Sequence, residues 1–198
     1  MKNIIFGLTI LLGVLACKPI ITQKEERLGN FILRYTATAD GKKEGVYERS
    51  DSATKQLVER SNYKADSLDG ESIFYHPNGQ MEEKRHYKNG RADGKFESFY
   101  SNGSLESEYF FVNNKMEGEY KKYYPNHQLL ETVTFKGGNE NGAFKEFYSN
   151  GKPKAEGTYL YNARLEGAYE IGTLTKWDST GVMKKMNCNG AGSCTTVE

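Results

Sequence analysis

Gly70-Glu71-Ser72-Ile73-Phe74-Tyr75-His76-Pro77-Asn78-Gly79 opens a unit, Tyr87-Lys88-Asn89-Gly90-Arg91-Ala92-Asp93 closes it, and Gly94 begins the next. The same glycine recurs as Gly45, Gly70, Gly94, Gly118, Gly142 and Gly167, at intervals of 25, 24, 24, 24 and 25 residues. Five positions on stand Tyr75, Phe99, Tyr123 and Phe147, followed by His76, Tyr100, Tyr124 and Tyr148. Then come Pro77-Asn78-Gly79, Ser101-Asn102-Gly103, Pro125-Asn126-His127 and Ser149-Asn150-Gly151. Met81, Leu105, Leu129 and Pro153 share a register beyond that, and Tyr87, Phe111, Phe135 and Tyr159 a later one. Agreement at so many positions of four units makes this a tandem repeat, and a fixed period outranks every other clue to the fold.

Each unit reads as a β-hairpin. Asn-Gly between alternating apolar residues is the strongest short-range hairpin signal, because a type I′ turn needs φ > 0 at both central positions. His127 replaces the glycine once; histidine enters the left-handed region more readily than most residues, so that turn survives at some cost. The stretches 94–100 and 105–112 have strand length and aromatic, β-branched content. The array weakens outward. Residues 45–69 keep Tyr47, Leu57 and Tyr63 but lack the Asn-Gly turn, and 31–38 reads as half of an earlier hairpin ending at Asp40-Gly41. After Gly167 the pattern resumes five residues late, at Trp177-Asp178-Ser179-Thr180-Gly181. Atypical end units are expected, since they meet solvent rather than a neighbour. The expected fold is all-β: an elongated, twisted single antiparallel sheet over residues 30–186, with about twelve or thirteen strands running to roughly 60 Å.

The units resemble the MORN-repeat variant, the motif of the YwqK-type antitoxin family. That motif joins an aromatic doublet to Asn-Gly, as in Phe74-Tyr75-His76-Pro77-Asn78-Gly79, and sets a tyrosine before a second Asn-Gly, as in Tyr87-Lys88-Asn89-Gly90. The resemblance covers roughly residues 31–186. It implies hairpins added side by side into one sheet, and it carries no catalytic residues.

The N-terminus sets the compartment. Met1-Lys2-Asn3 is followed by an apolar run from Ile4 to Leu15, too short for a transmembrane helix and of the length of a secretory h-region. Val14-Leu15-Ala16-Cys17 resembles a lipobox, the signal read by lipoprotein signal peptidase. This implies cleavage after residue 16 and acyl chains such as palmitate on Cys17, which anchor stably. Lys18, where an aspartate would favour inner-membrane retention, implies an outer-membrane destination. Residues 17–29 would then be an acylated tether and 187–198 a C-terminal tail. Lipidation of Cys17 leaves Cys188 and Cys194 as an even pair in an oxidising compartment, so a disulfide is expected between them. Five residues separate the two cysteines, unlike a C-x-x-C redox centre, so the bond reads as a staple. It would end strand pairing and blunt the sheet edge.

Composition narrows the function. Without residues 1–16 the chain has 26 Lys+Arg against 26 Asp+Glu, so no basic excess marks a nucleic-acid partner. Only 37% of residues are hydrophobic, yet 14 are Tyr and 10 are Phe, which points to a thin sheet held by rings. His76, His86 and His127 have no metal-ligand spacing, and no P-loop or nucleophile motif is present. Neither catalysis nor a cofactor nor a metal is expected. The column Tyr75, Phe99, Tyr123, Phe147 has two readings, cross-strand packing or a binding face. The expected function is a monomeric, non-catalytic scaffold for a protein partner, such as an exported toxin. The alternative is an envelope lipoprotein whose aromatic sheet face binds glycan or lipid.

Cys17→Ser should move the protein out of the membrane fraction and abolish incorporation of a labelled fatty acid. Unchanged membrane association of that variant would contradict the lipobox reading.

Overall fold

A computed structural model describes residues 21–197; Cys17 and the leader lie outside the described residues. The strands are β1 (Ile21–Leu28), β2 (Phe31–Thr38), β3 (Lys43–Asp51), β4 (Leu57–Lys64), β5 (Ser67–Tyr75), β6 (Met81–Lys88), β7 (Arg91–Ala92), β8 (Gly94–Phe99), β9 (Leu105–Val112), β10 (Lys115–Met116), β11 (Gly118–Tyr123), β12 (Leu129–Lys136), β13 (Asn139–Phe147), β14 (Pro153–Asn162), β15 (Gly167–Trp177), β16 (Met183–Asn189) and β17 (Cys194–Val197). Each pairs antiparallel with its sequence neighbours in one open 17-stranded sheet. β7 with β8, and β10 with β11, act as single strands interrupted at a bulge. Fifteen strand positions at about 4.8 Å run to roughly 67 Å before twist shortens them.

Two turn types alternate, and the sequence reading foresaw only one of them. Asn89-Gly90 and Gly137-Gly138 have φ > 0 at both central residues, as does Asn113-Asn114, and these are type I′ turns. At the Pro-Asn-Gly turns only the third residue is left-handed: Gly79, Gly103, His127 and Gly151, at φ between 67° and 84°. Gly79 N–H donates to His76 O and His76 N–H to Gln80 O, which is a type I turn closed by a left-handed residue. Pro77 and Pro125 suit this, since proline is favoured at the second position of a type I turn. A three-residue loop of this kind leaves one residue unpaired, and the register shifts at Phe74/Tyr75, Ser98/Phe99, Lys122/Tyr123 and Glu146/Phe147.

The period-setting glycine sits at a second bulge. Gly94 and Gly142 have φ of 128° and 138°, and a Cβ there would lie 2.8 Å from the Cβ of His86 and of Thr134 respectively. Backbone conformation and close approach both demand glycine.

Both rims of the sheet are stitched from unit to unit. At the rim of the type I turns, Tyr100 Oη donates to Tyr123 O, Tyr124 Oη to Phe147 O and Tyr148 Oη to Trp177 O, at 2.7–3.0 Å. His76 Nε2 makes the same bond to Phe99 O, 2.8 Å, so this nitrogen carries the proton. At the type I′ rim the acid before each of the first four period glycines accepts the N–H of the next turn. Glu44 takes that of Ala65, Asp69 that of Asn89, Asp93 that of Asn113 and Glu117 that of Gly137.

The ends differ from expectation. Ile21–Leu28, read as tether, is an edge strand paired along its whole length with β2, its eight residues all exposed. Lys24, Glu25, Glu26 and Arg27 make a charged edge, a common defence against unwanted pairing. Beyond Met186 the pairing continues. Cys188 and Cys194 are cross-strand partners joined by a disulfide, with Cα atoms 4.1 Å apart, and β17 extends past it. The bond therefore sits inside a last hairpin and does not end the ladder; the four-residue length of β17 is what limits that edge.

Gly142→Ala should destabilise the array by about 3 kcal/mol, since strained φ and overpacking each cost roughly 1–3. Gly137→Ala, with φ of 63° and nothing within 4 Å of the new Cβ, should cost only about 1 kcal/mol. Urea unfolding of the two variants checks the order.

Candidate interaction surface

Strand alternation divides the side chains between two faces. One face is built of rings that cover one another. Tyr47 lies tilted against Tyr35 and edge-on to Tyr63, and Phe96 contacts Tyr87, Tyr109 and Phe111. Tyr120 continues the row to Phe135, and Phe144 lies flat on Tyr159 with centroids 4.2 Å apart. Phe96 and Phe144 are only 6% and 3% exposed, although the sheet has one layer. The main apolar cluster lies on this face, where Val133, Phe144, Ala155, Leu174 and Cys188 meet. Gly157 makes room for it: a Cβ there would lie 2.8 Å from the Phe144 ring. Where Ser72 replaces the ring found two positions after the glycine in other units, the row breaks between Tyr63 and Tyr87. Ser72 is fully buried, and its hydroxyl has no partner among the described residues.

The opposite face is charged and self-neutralising. Arg34 pairs with Glu25, Arg60 with Glu48, Lys84 with Glu71, and Lys121 with Glu119. Lys95 bridges Glu97 and Glu108 at 2.7 and 2.9 Å. Tyr123 donates to Glu108, 2.8 Å. The Lys95 ammonium holds the Glu108 carboxyl below its usual range, and donating hydrogen bonds to both acids pushes Lys95 up to about 12. Burial, with the bond to Glu108, lifts Tyr123 to about 12.

The four aromatics singled out from the sequence fall on this charged face. Tyr75, Phe99, Tyr123 and Phe147 are half-buried and sit at the bulge that follows each strand's regular pairing. Their partners across the turn are Met81, Leu105, Leu129 and Pro153. The two sets interleave into one apolar row that crosses four units, with an aromatic at every second strand, about 9.6 Å apart. A groove of about 420 Å³ opens beside the row, walled by Leu129, Phe147, Thr132, Lys121 and Lys145. Phe110, 48% exposed, adds an apolar side chain to the same face. Of the rings that hold the sheet together, the sequence reading names Tyr47 but passes over Phe96, Tyr120 and Phe144; their fixed place two residues after the glycine is the signal.

The histidines fill structural positions. His76 belongs to the rim ladder, His127 occupies a left-handed turn position, and His86 Nδ1 lies 3.1 Å from Lys95 O. Among the described residues no group of three or more His, Cys, Asp or Glu could hold a metal ion, and no helix is long and apolar enough to cross a membrane.

Four segments, residues 68–89, 92–113, 116–136 and 140–161, match the family model described as MORN repeat variant. Within residues 68–161 the chain is thus similar to that repeat, each matched segment being one hairpin around a type I turn, with the joins at the type I′ turns. No curated protein matches the chain. A solved structure titled "Crystal Structure of TarM" is similar over 72% of this chain and 21% of that chain, with 12% identity and a TM-score of 0.28. The chain therefore spans about a fifth of that relative's length.

Eight tyrosines have a raised pKa. Burial is the chief cause for Tyr47, Tyr63, Tyr100, Tyr109, Tyr120, Tyr123 and Tyr159, and donation to Glu26 for Tyr35. A folded pKa above the unfolded value means stability that is complete below pH 10 and lost as pH climbs towards 12, where Tyr123 and Tyr159 titrate. Urea midpoints should fall across that window, with phenolate absorbance rising together with unfolding. Full tyrosine ionisation at pH 10 in the folded protein would contradict the packing described.

Proposed function

We propose that this protein is a non-catalytic lipoprotein of the cell envelope, held at the outer membrane through Cys17, whose sheet presents its charged face to a protein partner. The observation that carries this is the row of Tyr75, Phe99, Tyr123 and Phe147 with Met81, Leu105 and Leu129. It repeats at fixed spacing on the face whose charges already neutralise one another, and the ring packing of the other face does not use it. An apolar row inside paired charges suits a protein surface, where buried aromatics supply most of the binding energy and a polar rim excludes water. It does not suit a polyanion, which needs unpaired cations. The charged β1 and the short β17 favour a monomer. Immunity against an exported toxin is one form this role would take. Binding of glycan or lipid by the aromatic face is less favoured, because Phe96 and Phe144 are covered by neighbouring rings.

The test is co-purification of the full chain, extracted in detergent, with the products of neighbouring genes. A Phe99→Ser, Phe147→Ser variant that keeps the parent far-UV circular dichroism should lose the partner. Undiminished capture by that variant, or parent-like retention of both proteins on purified cell wall with no protein partner, would overturn the assignment.

A further inference from the structure

At the N-terminal end of the aromatic face three tyrosines surround one cation. Lys43 Nζ lies 5.7 Å from the Tyr35 ring centroid, 5.7 Å from that of Tyr47 and 5.2 Å from that of Tyr63. Each distance is within the roughly 6 Å at which the negative ring face attracts a positive charge. The rings brace one another, with Tyr35–Tyr47 centroids at 6.3 Å and Tyr47–Tyr63 at 5.6 Å. Tyr47 is 9% exposed. Tyr35 is tied down through its hydroxyl to Glu26, 2.6 Å. The rings are therefore already placed for a cation.

The main chain of Lys43 is pinned from outside the cage. Its N–H donates to Asp66 Oδ1, 2.8 Å, and its carbonyl accepts from Asp66 N–H, 3.0 Å. Its side chain is not pinned: among the described residues the ammonium makes no ion pair within 4.0 Å. In the next three units the position two before the glycine holds Leu68, Ala92 and Met116. There an apolar residue stands in that place. Only in the unit walled by three tyrosines does a flexible cation stand in that place.

We propose that the Tyr35–Tyr47–Tyr63 cage is a binding site for a small quaternary ammonium ion of the choline class, and that Lys43 is its built-in, displaceable plug. A primary ammonium is strongly hydrated and loses hydrogen bonds to water when set against rings. A trimethylammonium head has no N–H to desolvate and presents methyl groups to all three ring faces. It therefore competes for the cage, while the Lys43 side chain swings into solvent around its fixed main chain. Lysine occupancy lowers the apparent affinity by the fraction of molecules in which the cage is free. This site lies on the face opposite the apolar row, and its test is independent of the protein partner.

Choline chloride should bind the full chain saturably at roughly millimolar concentration, the range expected for desolvated cation–π contacts. Choline methyl resonances and tyrosine difference absorbance would follow it, against sodium chloride at equal ionic strength. Lys43→Ala should bind roughly tenfold more tightly. Tyr63→Leu, and separately Tyr35→Leu, each with parent-like circular dichroism, should bind at least about tenfold more weakly. Phosphatidylcholine vesicles form a second arm: equal or tighter binding to vesicles makes the source a lipid headgroup, and choline binding without vesicle binding makes it a free solute. No saturable binding to the parent chain overturns the proposal. Binding by Lys43→Ala alone overturns it too, because Lys43 would then be a permanent wall and not a plug.

Discussion

A sheet one layer thick has no opposing layer against which to bury its side chains, and the rest of this molecule follows from that constraint. Apolar burial has to occur within the plane of one face, between side chains on neighbouring strands. Aliphatic side chains such as Val133 and Leu174 are buried where a ring lies beside them. Tyrosine and phenylalanine can lie over a neighbour and remove a large area from water. Hence a chain only 37% hydrophobic still holds Phe144 at 3% and Phe96 at 6% exposure. Where the ring lapses, at Ser72, the face holds a buried hydroxyl instead.

The same constraint explains the rims. Thin sheets twist readily, and a repeat array is only as cooperative as the interfaces between its units. Here the interfaces at Gly94 and Gly118 carry three kinds of bond: the strand ladder, a Tyr or His hydrogen bond at one rim, and a carboxylate-to-amide bond at the other. His76 serving where Tyr100, Tyr124 and Tyr148 serve elsewhere shows what the position requires, a ring of suitable reach with one donor at its tip. The acid before the glycine is equally functional in this structural sense. It fills the left-handed turn of the next unit with a charged acceptor, which is stronger than a neutral one.

Much of this was legible in the residues. The period, the hairpins, the single sheet and the sharing of one face by Tyr75, Phe99, Tyr123 and Phe147 follow from register alone. The turn types did not, because Asn-Gly is common to both. The residue ahead marks only two of the four type I turns: Pro77 and Pro125 fix a φ compatible with type I, whereas Ser101 and Ser149 carry no such mark. β1 was hidden for another reason. Its run of Lys24, Glu25, Glu26 and Arg27 has no apolar alternation, and an edge strand exposed on all its residues shows none. The last hairpin was hidden by Asn189-Gly190-Ala191-Gly192-Ser193, which looks like a flexible ring closure until Cys188 and Cys194 are seen to face each other across two strands. Which face a column occupies also lay beyond the sequence, since each unit contains two bulges and each bulge changes the count.

Coupling only between neighbours has a consequence for where specialised chemistry can arise. In a globular core, replacing an aliphatic residue over a ring cluster by lysine would disturb packing throughout. In this array the exchange of Leu68, Ala92 or Met116 for Lys43 is felt by one unit. It is tolerated there because three tyrosine ring faces lie 5.2–5.7 Å from the ammonium and attract it. The central units must match neighbours on both sides, and they depart from the pattern by single residues such as Ser72, His127 and Glu140. The outer units match on one side only, and they diverge further: Lys43 near the start, and the late Trp177 turn near the end. Distinct recognition is therefore expected to gather at the ends of the array, and the regular middle to supply a surface read by its spacing.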